Sequence, residues 1–279
     1  MSETSFAEID VKLPPTAAEL PSEDNIPMET QRHKMQMDLL IDTTEIWLAQ
    51  RSDGYASGNM FVYFSLEQIR NRDFRGPDFF AVLGVPKRER LSWVVWEEGK
   101  APDVVIELLS ESTARFDKNE KKLIYQNQLR VPEYYWFDPF NPDDWAGFYL
   151  QGGTYQPLRV NDQDRLVSRS LNLALVRWYG NYRGVETTWL RWATLEGELI
   201  PTLAEQERQQ AEQARQQAEQ ARQQAEQERQ RAEQERQRAE QVESQLGQIV
   251  RRMLSQGMSL TQVAELTGLA ESQIEKLGS

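Results

Sequence analysis

The segment that starts at Ala204 most constrains how this chain can fold. Five seven-residue units follow one another without a gap, and a degenerate sixth begins at Ala239. The units are AEQERQQ, AEQARQQ, AEQARQQ, AEQERQR and AEQERQR. All of their residue types favour helix, so the pattern predicts a polar helical arm about 60 Å long. Because the arm has so few apolar side chains, any globular core must be built from the residues that precede it.

The heptad pattern of the arm does not decide whether the arm pairs with a second helix. If Ala204 and its repeats occupy position a, glutamate or alanine occupies position d until Val242. Such a seam is poor for a tight coiled coil. A single solvated helix, supported by ion pairs such as Glu205 with Arg208, is one interpretation. A weak homotypic coiled coil, which would make the chain a homo-oligomer, is the other.

Residues 251–277 have the apolar spacing of two or three short helices, with Gly257 and Gly268 at the turns. The run QVAELTGLAESQIEKL also has helix-turn-helix spacing, although few basic residues are present to meet phosphate. A small helical cap or an oligomerisation segment is the alternative. The predicted division of the chain is a flexible segment 1–20, a globular domain 21–200, the heptad arm 201–247 and a small helical segment 248–279.

The first 200 residues contain the large apolar side chains that a hydrophobic core needs, since all eight Trp, nine Tyr and ten Phe lie at or before Trp192. The chain has no cysteine, which excludes disulfides, thiolate zinc sites and cysteine nucleophiles. His33 is the single histidine, so a His-rich metal site is excluded and a Ser-His-Asp triad would have to use this residue. Any catalysis is therefore expected to use carboxylates and lysines.

The net charge of −12 argues, taken alone, against a nucleic-acid partner, because phosphate binding needs clustered lysine and arginine. Carboxylates that hold a metal also add negative charge, so the average does not exclude a nuclease. Residues 1–20 lack the basic and apolar regions of a signal peptide, and no run approaches the roughly 18 apolar residues of a membrane span. The sequence predicts a cytoplasmic protein with no membrane partner.

Apolar spacing predicts a helix over residues 28–49 and another over 117–129. Aromatic and β-branched runs predict strands around the second helix, and the sequence Gln-Gly-Gly before residue 154 signals a hairpin. The predicted strands are 59–65, 78–83, 93–96, 104–109, 133–137, 146–150 and 154–158. This order predicts an α/β or α+β sandwich around a mixed sheet.

Two Pro-Asp pairs each open a hydrophobic strand: Pro77-Asp78 precedes FFAVLGV, and Pro102-Asp103 precedes VVIELL. Glu107 interrupts the second strand, with apolar neighbours on its own face. A buried carboxylate is costly unless it is paired or bound to a metal. Hard divalent cations prefer such oxygen ligands. The alternative is a glutamate near the strand end that meets a surface arginine.

Lys121 and Tyr125 lie four residues apart on the helix after that strand, so they share a face. If this helix packs against the sheet, Lys121 can reach Glu107. A plain solvated side chain is the alternative for a lysine on a polar helix.

Three runs in combination resemble the Uma-two family of restriction endonucleases, within the PD-(D/E)XK nuclease superfamily. They are RNRDFRGPDFFAVLGV, SWVVWEEGKAPDVVIELLSEST and KKLIYQNQLRVPEYYWFDP. The resemblance covers roughly residues 20–200, and cyanobacterial members with a Gln/Glu/Arg-rich C-terminal arm are familiar. It implies an endonuclease-like domain over 21–200, with a mixed sheet flanked by helices. It also implies hydrolysis of DNA that depends on Mg²⁺ or Mn²⁺.

By this resemblance the motif aspartate is Asp78 and the motif glutamate is Glu107, which would hold the metal together with a backbone carbonyl near Leu108. The lysine that the superfamily places two residues after the glutamate is absent. The resemblance moves this catalytic lysine to Lys121, with Lys122 as the fallback.

The resemblance also implies an additional acid on the first helix, which Glu29 would supply. Arg70, Arg72 and Arg75 form the densest basic group just before the motif aspartate, where they could contact the phosphate backbone of DNA. A solvated loop partly balanced by Asp73 is the alternative for these arginines.

Three functions follow as hypotheses. The first is a metal-dependent DNA endonuclease, which requires Asp78, Glu107 and Lys121 to lie close together. The second is a catalytically inactive nuclease-fold protein that serves as a binding or scaffold module through its coiled-coil arm. The third is a structural coiled-coil protein whose globular head is incidental.

Overall fold

A computed structural model describes residues 14–21, 30–65 and 74–278. The chain divides into two compact units, Met1–Glu207 and Arg208–Ser279. The finer division into four segments stays a prediction.

The first unit contains short and long elements in mixed order. Its helices are α1 (Gln31–Ala49), α2 (Val95–Glu98), α3 (Ala114–Phe116) and α4 (Lys122–Ile124). Its strands are β1 (Tyr55–Ser57), β2 (Val62–Tyr63), β3 (Phe74–Arg75), β4 (Phe79–Val82), β5 (Trp93–Val94), β6 (Val104–Leu108), β7 (Glu133–Phe137), β8 (Trp145–Gln151), β9 (Thr154–Pro157), β10 (Arg165–Ser168), β11 (Leu173–Tyr182) and β12 (Val185–Ala193).

A mixed sheet of six strands, counted over the described residues, forms the centre of this unit in the order β1-β4-β6-β7-β8-β9. Strands β6 and β7 are parallel, and the other neighbours are antiparallel. All residues of β6 are buried, as expected for an apolar strand covered on both faces. The predicted α/β architecture around a mixed sheet is confirmed.

The two faces of the sheet are covered by different layers. Ile106 of β6 belongs to an apolar core that includes Leu40 of α1 and Trp192 of β12. Val105, on the opposite face, belongs to a second core that includes Tyr125 from the helical segment after β6. Residues at odd positions of β6, Glu107 among them, therefore face that helical segment.

The helical segment 114–129 begins three residues before the helix predicted over 117–129 and ends at the same residue. It is built from α3, α4 and two π-helical turns, Asp117–Lys121 and Tyr125–Leu129. These turns have i→i+5 hydrogen bonds and are often found at functional sites. A π turn holds more residues than the 3.6 of an α-helix, so side chains four apart stay closer to one line.

Several strand predictions are wrong in extent. The strand predicted over 59–65 is reduced to β2, and the one over 93–96 keeps only Trp93–Val94 before α2 begins. The sequence pattern predicts no strand over 165–193, where β10, β11 and β12 form a separate antiparallel sheet. The long β11–β12 hairpin is half-exposed over much of its length, so polar residues interrupt its apolar pattern.

Helix α5 (Leu203–Ser255) contains the whole heptad segment and continues past the predicted boundary at residue 247. Residues 207–245 are exposed. In the second unit, α6 (Leu260–Thr267) and α7 (Glu271–Gly278) pack with the end of α5 around Val250, Val263 and Ile274. None of the helices that the structure describes has the length and apolar character to cross a bilayer.

The first turn of α5 is fixed to the sandwich by a buried arginine. The Arg191 side chain is 1% exposed and donates from both terminal nitrogens to Glu205, at 2.9 and 2.7 Å. It also donates to the Ile200 carbonyl at 2.9 Å. Glu205 therefore pairs with Arg191 of β12, and the pair that the sequence suggested with Arg208 is not formed.

Removing the carboxylate from this pair is expected to destabilise the protein. Glu205→Gln leaves the buried Arg191 guanidinium without its counter-charge. Because Glu205 is partly exposed, we expect a loss of about 1–2 kcal/mol in the free energy of unfolding, less than for a fully buried pair. Urea denaturation measures this loss.

The matched control is Glu240→Gln, since Glu240 forms an exposed pair with Arg236 in the same helix at 3.7 Å. This change should alter the free energy of unfolding by less than about 0.5 kcal/mol. Equal losses in the two variants would contradict the anchoring role of Arg191.

Candidate active site

Strand pairing brings two acids together at one end of the β4–β6 pair. The antiparallel register joins Phe79 with Ile106 and Ala81 with Val104. One step further along the same register, Asp78 lies opposite Glu107. Facing residues in such a pair have Cβ atoms about 4.5–5.5 Å apart, so the two carboxyl groups are neighbours.

Each Pro-Asp aspartate accepts a backbone hydrogen bond from the neighbouring strand. Asp78, which is half-buried, accepts from the Leu108 amide at 2.7 Å. Asp103, at the other end of the strand pair, accepts from the Leu83 amide at 2.7 Å and pairs with Lys100 at 2.8 Å. The two aspartates thus have the same structural role, but Asp78 is the one that faces Glu107.

Glu107 is fully buried and is held by two side chains of the helical segment. Tyr125 donates its hydroxyl to Oε1 at 2.8 Å, and Lys121 donates its ammonium to Oε2 at 3.0 Å. The structure therefore brings Lys121 to Glu107. It excludes both alternatives from the sequence, a glutamate paired with a surface arginine and a solvated lysine.

Asp117 is a further acid of the site that the sequence analysis missed. It is 1% exposed, and its Oδ1 lies 2.9 Å from the Lys121 ammonium. The available signal was its position four residues before Lys121, the same interval that separates Lys121 from Tyr125. With π turns in this segment, the three side chains line one face.

Lys122 lies away from the acids. Its ammonium sits 3.4 Å from the centroid of the Phe148 ring and 5.8 Å from that of Trp136. The resemblance gave Lys122 as the alternative catalytic lysine, and this geometry does not support that role.

The remaining candidates are distributed as follows. Glu29, Arg70 and Arg72 lie outside the described residues. Arg75 is half-buried, and its guanidinium carbon lies 6.0 Å from the centroid of the Phe64 ring.

His33 packs near the site. It is buried on α1, with Nε2 3.0 Å from the Leu109 carbonyl and Nδ1 2.9 Å from the Thr30 hydroxyl. It thereby supports the backbone just beyond Glu107.

The electrostatics of the site are set by three neighbouring carboxyl groups, of which Glu107 and Asp117 are buried and Asp78 is half-buried. Burial, opposed by Lys121 and reinforced by Asp78 and Asp117, raises the pKa of Glu107 to about 8. Burial also raises the pKa of Asp78 to about 6, again against the effect of Lys121. Burial alone would lower the pKa of Lys121, but the surrounding carboxylates raise the pKa of this ammonium above its usual value.

These residues fit a hard divalent cation better than a softer metal. Asp78 and Glu107 offer oxygen ligands, and a divalent cation would stabilise their ionised forms, since Lys121 alone does not keep their pKa values in the usual range. Mg²⁺ commonly binds through one or two carboxylates and keeps several waters. The part of the chain that the structure describes contains no group of three or more His, Cys, Asp or Glu arranged to hold a metal. Water or backbone oxygen would therefore have to complete the coordination.

The chain is similar to a known protein family and to a solved structure. The Uma2 family model, described as "Putative restriction endonuclease", matches residues 12–178, which is more than half of the chain. Among solved structures, the chain is similar to a "putative nuclease belonging to DUF820" from Anabaena variabilis. The identity is 17%, the match covers 57% of this chain and 91% of the other, and the TM-score is 0.38. No curated protein matches the chain.

The raised carboxyl pKa values predict how the stability of the metal-free protein depends on pH. Asp78 and Glu107 have folded pKa values of about 6 and about 8, above unfolded values near 4. Between about pH 4 and pH 8 the folded state binds more protons than the unfolded state. The stabilisation that these two groups contribute is therefore complete at low pH and is lost as pH rises. In EDTA, we expect urea denaturation to show a free energy of unfolding that falls between about pH 5 and pH 8.

Glu107→Gln is the control, because it removes the group with the higher pKa and keeps the shape of the side chain. Its free energy of unfolding should fall less over the same pH range. Identical pH dependence in the variant and the wild type would contradict the buried, proton-binding character of Glu107.

Proposed function

The chain belongs to the Uma2 family, and from that premise we propose that it is a divalent-metal-dependent endonuclease that hydrolyses DNA phosphodiester bonds. The observation that carries the proposal is the convergence of Asp78, Glu107 and Lys121 from two paired strands and the helical segment packed on them. An acid pair with an adjacent ammonium is a set of groups suited to phosphodiester hydrolysis without histidine or cysteine.

In this proposal Asp78 and Glu107 hold one Mg²⁺ or Mn²⁺. When bound, the ion supplies Lewis-acid activation of the scissile phosphate and of the attacking water. Asp78 is positioned for this by its bond to the Leu108 amide, which fixes one carboxylate oxygen. Tyr125 fixes one oxygen of Glu107 in the same way.

Lys121 supplies the positive charge that the chain itself brings to the reaction. Its side chain is 18% exposed, so the ammonium can reach a substrate while its partners remain buried. A preorganised ammonium beside the phosphate stabilises the negative charge that develops in the transition state, and can orient the attacking water.

The buried acids favour a nuclease over an inactive scaffold. Carboxyl groups removed from water are costly to ionise unless they are compensated, and the raised pKa values of Asp78 and Glu107 reflect a cost that one ammonium does not offset. A scaffold that acted only through α5 would have no use for such a cluster. Self-association of α5 stays a separate prediction.

The proposal is tested by cleavage of supercoiled plasmid DNA. We expect nicking with Mg²⁺ or Mn²⁺ and none in EDTA. Asp78→Asn, Glu107→Gln and Lys121→Met should each lower the rate by about 100-fold or more, the scale of removing one transition-state contact of this kind.

Two neighbouring residues provide matched controls. Asp103→Asn removes an aspartate with the same backbone hydrogen bond at the other end of the strand pair, and Lys122→Met removes the adjacent lysine. Both variants should keep cleavage within about threefold of the wild type, since neither touches the transition state. Cleavage by Glu107→Gln at the wild-type rate, or a wild type inactive with both metals, would contradict the proposal.

Tyr125→Phe tests whether the orientation of Glu107 matters. The change leaves one buried carboxylate oxygen without its donor, so we expect a loss of about 1–2 kcal/mol in the free energy of unfolding. Cleavage should fall about tenfold, because the metal ligand loses its fixed orientation. Tyr149→Phe is the control, because its hydroxyl bonds the exposed Gln151. If Tyr125→Phe matches this control in both assays, Tyr125 does not orient Glu107.

A further inference from the structure

Asp117 has no part in binding the proposed ion, although it is as buried as Glu107. Their exposed fractions are 1% and 0%. The Lys121 ammonium lies 2.9 Å from Asp117 Oδ1 and 3.0 Å from Glu107 Oε2. One cation is therefore shared by two buried carboxylates, one on the strand and one on the helical segment.

The backbone of Asp117 is fixed from two sides. Its amide donates to the Thr113 carbonyl at 2.9 Å, and its carbonyl accepts from the Tyr134 hydroxyl at 2.9 Å. Asp117 and Lys121 are also the first and last residues of the same π-helical turn. Their pairing is thus set within one element and does not depend on how Glu107 is occupied.

A divalent cation and the ammonium compete for Glu107. Two positive charges on one carboxylate oxygen would repel each other strongly in a buried site. A cation that binds Asp78 and Glu107 must therefore displace the ammonium from Oε2. Asp117 Oδ1 is already within reach, so the ammonium can leave Glu107 without leaving the site.

We propose that Asp117 is a positioning residue, which holds the Lys121 ammonium when a divalent cation takes its place on Glu107. This inference rests on the proposed function, because it assigns the cation to Asp78 and Glu107. In the metal-free protein Lys121 acts as an internal counter-ion. With metal bound, Asp117 keeps the same ammonium beside the substrate phosphate.

The test is calorimetric titration of the full chain with Mn²⁺ in the absence of DNA. Lys121→Met removes the competitor and should bind Mn²⁺ about tenfold more tightly. Asp117→Asn leaves the ammonium with Glu107 as its carboxylate partner and should bind about tenfold more weakly. In the Lys121→Met background, the same Asp117→Asn change should cost only about twofold, the remaining effect of charge.

Glu120→Gln is the matched control, since it removes one negative charge from an exposed position of the same π-helical turn. Its Mn²⁺ affinity should stay within about twofold of the wild type. If Lys121→Met does not fold, Lys121→Gln replaces it as a neutral side chain of similar polarity.

Two results would overturn the inference alone. One is an equal effect of Asp117→Asn in both backgrounds, which would mean that Asp117 acts through its charge and not through the lysine. The other is unchanged Mn²⁺ affinity in the lysine variant. A wild type that neither binds Mn²⁺ nor cleaves DNA would overturn the proposed function, and the inference with it.

Discussion

The rest of the site depends on one buried ion pair, Glu107 with Lys121. Glu107 lies in the middle of an apolar strand covered on both faces, where an uncompensated carboxylate would be costly. The helical segment packed on that strand meets this cost with an ammonium and a tyrosine hydroxyl. Because both donors come from one segment, the packing of that segment and the chemistry of the site are coupled.

The pairing of β4 with β6 adds the second half of the site. Its register places Asp78 opposite Glu107, and the Leu108 amide fixes the aspartate. Burial raises the pKa of both carboxyl groups, and a hard divalent cation would stabilise their ionised forms. A stable fold alone would not require two facing acids at this place, which is why the acids bear on function more than on architecture.

Much of the candidate site could be predicted from the sequence because its residues depart from the pattern of the residues around them. An acid inside an apolar strand and an Asp directly before another strand are visible without a structure, and the mixed sheet follows from the order of elements. Asp117 was missed because an acid on a polar helix is ordinary. Its pairing with Lys121 depends on the π-helical turns, which the local sequence does not predict. The β10–β12 sheet was missed because its half-exposed strands lack a clear apolar alternation.

The most direct test of the account is the location of a bound ion. Crystals of the protein soaked in Mn²⁺ would be examined for anomalous scattering. We predict a peak within about 2.6 Å of an oxygen of Asp78 and of an oxygen of Glu107, the range of hard-cation contacts to oxygen, with the Lys121 ammonium moved onto Asp117. A Mn²⁺ peak elsewhere, with Lys121 still on Glu107, would contradict it.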